Sequence, residues 1–269
     1  MYRLLALDLD GTLLDPKRAI TPRTHEALKR AVEAGVTLVI ATGQTFPALL
    51  SLCPGVPLNG PQIVYNGAII ADVADGSPLY EQLVPDEYIL PTLGALQEQD
   101  VFRVYHTHER VFADTGTPGA RNWYLPPAPT AIEVPDVAEL YPQPCIKLVG
   151  VCDPAELARK RVYFEELFAS QLYVTQAASD LIEFLHPAVS KGRALLKIAS
   201  MLGISSTEIA AIGDNHNDID MLRFAGLGIA MGNASEEVKA AAHHVTRSNA
   251  EDGVALAIEE QILPFVTPA

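Results

Sequence analysis

The sequence predicts an α/β protein: a doubly wound, Rossmann-like parallel-sheet core with an inserted α+β domain. Three observations lead there. Apolar strand runs alternate with helical patterns in the first and last thirds of the 269 residues. The middle third breaks that alternation and is rich in proline. The first strand runs straight into a pair of aspartates, at the strand end where an open parallel sheet binds its ligands. The core is expected over residues 1–82 and 187–269, and the insertion over residues 83–186.

Each element has a local reason. Residues 2–7 form a short apolar strand. Thr21 is suited to cap a helix and Pro22 to open it. Ala27, Leu28, Ala31 and Val32 then recur at helical spacing until Gly35 ends the run. Residues 36–41 (VTLVIA) are continuously apolar, as in a strand covered on both faces. Residues 63–70 read as two short strands around Asn66-Gly67, a turn dipeptide of hairpin type. The insertion offers helices near residues 86–97 and 154–168, and strands at residues 102–106, 145–151 and 181–185. Its prolines cluster at Pro126, Pro127, Pro129, Pro135, Pro142 and Pro144. In the last third, helices are expected at residues 192–202, 218–225 and 235–242, the first closed by Gly203. Strands are expected at residues 209–212, 227–230 and 244–246.

Composition narrows the function. Hydrophobic residues make up 49% and charged residues 19%, which supplies a core and argues against disorder. The net charge of −14 disfavours nucleic acid and anionic membranes as partners. An anionic substrate then requires a metal ion or a local set of donors. Cys53, Cys145 and Cys152 are scattered without ligand spacing, which fits buried thiols in a reducing compartment. The first residues show no signal-peptide pattern, and no run reaches the roughly 20 apolar residues of a membrane span. A cytoplasmic protein, monomeric or homodimeric, is expected.

Four segments carry chemistry. The first is Asp8-Leu9-Asp10-Gly11-Thr12-Leu13-Leu14. Two carboxylates at a buried strand end repel each other unless a cation compensates, and oxygen donors of this kind suit magnesium. Gly11 frees the backbone to turn, and Thr12 offers a hydroxyl and an amide to an anion. Read alone, the segment is equally a solvated strand-end turn. The second is Ala41-Thr42-Gly43, a hydroxyl and a flexible backbone after the second strand, as a phosphate oxygen requires. The third is Ser190-Lys191-Gly192 at a helix start. A lysine there opposes the helix dipole unless an anion lies beside it; the plainer reading is a lysine extended to solvent. The fourth is Gly213-Asp214-Asn215-His216-Asn217-Asp218, an acidic loop at a third strand end that supplies a further carboxylate. Asp220 reads as helix N-terminal charge, and His216 as a loop histidine with no second histidine at ligand spacing.

These segments, in this order, resemble the haloacid-dehalogenase-like phosphohydrolases, and the wording ATG, NGA, SKG and GDNxND is similar to their Cof-type subfamily with a type IIB cap. The resemblance covers the whole chain. It implies magnesium-dependent hydrolysis of small phosphorylated metabolites through an aspartyl-phosphate. Asp8 would be the nucleophile and Asp10 the general acid and base. Asp8, Asp214 and the backbone carbonyl of Asp10 would hold the metal. Thr42, Gly43 and Lys191 would hold the phosphoryl oxygens, Asn217 would face the substrate, and Asp218 would orient Lys191 and the metal's waters. Relatives often carry arginine after ATG, whereas this chain has Gln44, which puts in doubt substrates needing a second anionic group there.

Other readings remain open on sequence alone. A phosphomutase of the same fold would return the phosphoryl group to a sugar. A phosphorelay receiver would be far shorter and lack the insertion, and a dehalogenase would lack Asp10. A non-catalytic phosphometabolite-binding protein would be expected to have lost one of Asp8, Asp10, Lys191 or Asp214, and all four are present.

Overall fold

The computed structural model describes residues 1–108, 110–117 and 131–266. The chain divides into two compact units, Met1–Tyr80 with Ser190–Ala269, and Glu81–Val189.

The first unit begins with β1 (Leu4–Asp8), all five residues buried. Thr21 caps α1 (Pro22–Glu33) by accepting from the Thr24 amide, and Ala27, Leu28 and Ala31 turn inward. After β2 (Thr37–Ala41) comes α2 (Phe46–Leu52), which the sequence reading did not assign. Its seven residues are too few to show a period, but Thr45 caps it as Thr21 caps α1. The strands β3 (Gln62–Val64) and β4 (Ile69–Ala71) pair antiparallel, with Val64 opposite Ile69. Their connection is longer than the two-residue hairpin turn expected from Asn66-Gly67. It is a 3-10 turn with Tyr65 and Asn66 both at positive φ, 51° and 57°. A fifth strand, β5 (Pro78–Glu81), was likewise unassigned.

The second unit contains α3 (Asp86–Glu98), β6 (Phe102–His106), β7 (Val111–Asp114), β8 (Ile132–Val134), β9 (Lys147–Val151), α4 (Pro154–Leu167), β10 (Tyr173–Ala178) and β11 (Leu181–Leu185). They form one sheet in the order β10-β11-β9-β6-β7-β8. Alternation divides its two faces. Tyr105, Leu148, Ile182 and Phe184 share a core with Leu93 and Leu96 of α3 and Phe164 of α4. Val104, Val111, Ala113, Val149 and Val151 form a separate apolar cluster. Phe184 meets Phe164 and Phe168 edge to face. The prolines Pro126, Pro127 and Pro129 lie outside the described residues.

The chain then returns to the first unit through α5 (Lys191–Leu202), capped by Ser190 and ended by Gly203 in the left-handed region. It continues through β12 (Ile209–Gly213), α6 (Ile219–Phe224), β13 (Leu227–Ala230), α7 (Glu236–Ala241), β14 (His244–Val245) and α8 (Gly253–Ala257). The sheet order is β14-β13-β12-β1-β2-β3-β4-β5, with every pair from β14 to β3 parallel. Leu4 and Ala6 of β1 pack into one core with Leu195 and Ile198 of α5 and Met221 and Leu222 of α6. The chain proceeds outward from β1 in one direction through β2 and in the other through β12. That reversal point is where an open α/β sheet leaves a crevice at its carboxyl ends. Asp8 pairs across from Ala41 and Leu7 from Ile212, so the ends of the three central strands stand level.

Candidate active site

Asp8 is the last residue of β1 and is buried. Its Oδ1 accepts from Lys191 Nζ at 2.6 Å, and Asp218 Oδ1 accepts from the same nitrogen at 2.7 Å. Lys191 is the first residue of α5 and only 1% exposed, so it does not extend to solvent. Two carboxylates beside the first turn offset the unfavourable dipole of a lysine placed there. Burial opposes the charge on Lys191, but Asp218 and Asp8 outweigh it and raise the pKa.

The loop after β12 is folded around Asp218. Its Oδ2 accepts from the amides of Asp214 and Asn215, both at 3.0 Å, and its side chain is fully buried. This is why residues 216–218 form a 3-10 turn ahead of α6, where the sequence suggested a continuous helix from Asp218. A Cβ at Gly213 would come within 2.6 Å of Asp218, so the loop requires glycine there. Asp214 Oδ1 accepts from the Thr12 hydroxyl at 2.8 Å, and Oδ2 faces Asn233 Nδ2 at 3.4 Å. The Thr12 hydroxyl, read as an offer to an anion, is thus given to the Asp214 carboxylate. Gly11, at φ 87°, brings the backbone so near that a Cβ would lie 2.5 Å from Asp214 Oδ2.

Asp8, Asp214 and Asp218 each offer an oxygen within 4.8 Å of the others. Burial and then Asp218 push the Asp8 carboxyl well above its usual range. Burial also raises Asp214, against the lowering effect of the Thr12 hydrogen bond. Lys191 pairs with Asp8 and Asp218, and this one ammonium against the three carboxylates of the cluster leaves two formal negative charges. Asp8 Oδ2 is buried and accepts no hydrogen bond. An undonated buried carboxylate oxygen among surplus negative charge is suited to a hard divalent cation. The side chain of Asp10 stands outside this cluster.

Asp10 faces other partners. Its Oδ2 accepts from Gln44 Nε2 at 2.9 Å, and its Oδ1 lies 3.0 Å from the Arg18 guanidinium. Thr42 is buried, and its hydroxyl accepts from the Gln44 amide at 3.1 Å. Its carbonyl accepts from the Asn66 amide at 2.9 Å. Gly43 faces the Asn66 side chain, and Asn66 Oδ1 accepts from Asn217 Nδ2 at 3.0 Å. The β3–β4 turn therefore aligns the second and fourth segments. His216 is exposed and Asp220 lies in the first turn of α6, as read from sequence. Arg18, Asn66 and Asn233 were not named as site residues. Asn66 carried a signal in its turn dipeptide, while Arg18 and Asn233 stand in no recognisable motif.

The family model for haloacid dehalogenase-like hydrolases matches residues 5–258. The chain belongs to this family. A pyridoxal phosphate phosphatase of Escherichia coli is 33% identical to this haloacid dehalogenase-like hydrolase, over 97% of the chain and 99% of the relative. A haloacid dehalogenase-like hydrolase from Bacteroides thetaiotaomicron superposes with a TM-score of 0.86 at 30% identity, covering 96% of this chain and 99% of that one. A sugar phosphatase of subclass IIB superposes with a TM-score of 0.82 at 25% identity, covering 96% and 98%. The Cof-type resemblance read from the motifs holds, and the enzyme is a phosphoric monoester hydrolase of this superfamily. Among the described residues, no helix is long and apolar enough to cross a membrane.

Proposed function

We propose that this hydrolase cleaves small phosphorylated metabolites, with magnesium, through an aspartyl-phosphate on Asp8. The observation that carries the reading is the Asp8–Lys191–Asp218 arrangement, with Asp8 Oδ2 left undonated beside a surplus of negative charge. Asp8 attacks phosphorus as a new P–O bond forms and the bond to the leaving alcohol breaks. Asp10 gives its proton to the leaving oxygen. As a carboxylate, Asp10 then takes a proton from water while that water's oxygen bonds to phosphorus and the bond to Asp8 breaks. Inorganic phosphate leaves.

Lys191, Thr42 and Gly43 hold the phosphoryl oxygens, Asn217 faces the substrate, and Asp218 keeps Lys191 in place. Asp8, Asp214 and the Asp10 carbonyl would hold magnesium, which supplies charge that screens an anionic ester from an anionic nucleophile. The three described cysteines are buried free thiols, which supports a reducing, cytoplasmic setting.

The phosphoryl chemistry is common to any monoester, so we assign substrate choice to the insertion. The pyridoxal phosphate and sugar phosphatases among its relatives support small alcohol phosphates as the class. The test is a panel of sugar, pyridoxal and flavin phosphates scored by released phosphate and by product. Phosphate release supports the reading. An isomeric phosphate ester formed without phosphate release would make the enzyme a mutase.

A further inference from the structure

We infer that Gln44 and Arg18 are positioning residues that together aim the Asp10 carboxyl, an inference that rests on the role proposed for Asp10. Each carboxyl oxygen has its own partner: Gln44 Nε2 donates to Oδ2 at 2.9 Å, and the Arg18 guanidinium forms an ion pair with Oδ1 at 3.0 Å. The Asp10 backbone is already fixed by a bridge to Leu14 and by the Leu14 amide donating to the Leu9 carbonyl. Only the side-chain torsions remain, and the hydrogen bond and the ion pair restrict them.

Both partners are presented from braced turns. The Gln44 amide donates to Thr42 Oγ1 and its carbonyl accepts from the Tyr65 amide, both at 3.1 Å. Arg18 sits at φ 61°, in a loop where Asp15 Oδ1 accepts from the amides of Lys17 at 2.8 Å and Ala19 at 2.9 Å. A non-glycine residue in the left-handed region is unusual, and here it projects the guanidinium toward Asp10. The side chains of Arg18 and Asp10 are 59% and 38% exposed. An ion pair so open to water contributes little to stability, so fold stability does not account for its geometry. Orientation of a proton donor does, because proton transfer requires the carboxyl within hydrogen-bond reach of the leaving oxygen.

Here the guanidinium comes from position 18 and an amide takes the other oxygen. Gln44 differs from a guanidinium in one useful respect. It carries an acceptor as well as a donor, so it can pair with Asp10 as a carboxylate or, turned over, as a carboxylic acid.

The test compares esters whose leaving groups differ in their need for a proton. For wild type, Gln44→Met and Arg18→Met, kcat/KM is measured with magnesium on p-nitrophenyl phosphate and on an alkyl phosphate from the panel. A nitrophenolate leaves without protonation, whereas an alkoxide does not. Loss of aim on Asp10 lowers the alkyl ester relative to the nitrophenyl ester by about tenfold or more, within the span of general acid catalysis. Thermal melts check that each variant folds, and the exposed Arg18 position keeps the test open if Gln44→Met is unstable. An equal fall on both esters, or none, in folded variants overturns the inference and leaves the hydrolase reading intact. A wild type that hydrolyses neither ester overturns both.

Discussion

Lys191 Nζ bridges Asp8 Oδ1 at 2.6 Å and Asp218 Oδ1 at 2.7 Å, so one ammonium joins the nucleophile candidate to the acid that folds the β12–α6 loop. Lys191→Met leaves two buried carboxylates facing each other. It should cost about 3–5 kcal/mol of stability, the usual consequence of removing one partner of a buried pair. Phosphate release should fall by about 10²–10³-fold. Melting curves and steady-state assays check both, and excess magnesium should recover part of the stability but not the rate. A variant with the wild-type rate would remove Lys191 from the site.

Activity should vanish on chelation and return on adding magnesium, because the cluster sets three carboxylates against a single ammonium. Calcium should inhibit, since its larger and looser shell does not hold the attack geometry. Full turnover in excess chelator would contradict the metal assignment.

The insertion carries a pH-sensitive group of its own. His106 is fully buried opposite Lys147, whose Nζ pairs with Glu183. Burial, and then Lys147, hold its pKa well below the usual 6.5. The unfolded chain protonates this histidine near pH 6.5 and the folded chain does not. The unfolded state therefore binds the extra proton, and stability falls as pH drops below about 6.5. Urea midpoints at neutral and mildly acidic pH should diverge in wild type and diverge less in His106→Asn. Equal slopes would show that His106 does not set this sensitivity.

Much of the site was legible because its residues sit at strand ends in short, chemically unusual segments. Asp8 follows an apolar run, and Asp214, Asn217 and Asp218 crowd one loop. The bracing contacts were not legible because they join distant parts of the chain. Asn233 reaches the Gly11 carbonyl across 222 positions, and Arg18 turns toward Asp10 from a loop with no motif. Among the elements, long apolar or well-capped segments such as β1, β2 and α5 were readable. β7, β8 and β10 were not, since VFAD, IEV and YVTQAA mix polar with apolar residues and offer no sustained apolar run.

Removal of the insertion separates chemistry from selectivity. The first unit has an apolar cluster built from its own residues, as does the insertion, so a chain joined near residues 80 and 190 should retain a core. Once circular dichroism shows that it folds, it should hydrolyse a generic monoester slowly, with a flattened ranking across the panel. An unchanged ranking would place selectivity in the first unit instead.

The central claim is a covalent bond between Asp8 and the transferred phosphoryl group. Wild type is quenched in acid during turnover of a labelled phosphomonoester, and the label is mapped by peptide. The account predicts a hydroxylamine-sensitive label on the peptide containing Asp8, and neither label nor phosphate release from Asp8→Asn. Phosphate release by Asp8→Asn at the wild-type rate, with no label on that peptide in wild type, would contradict it.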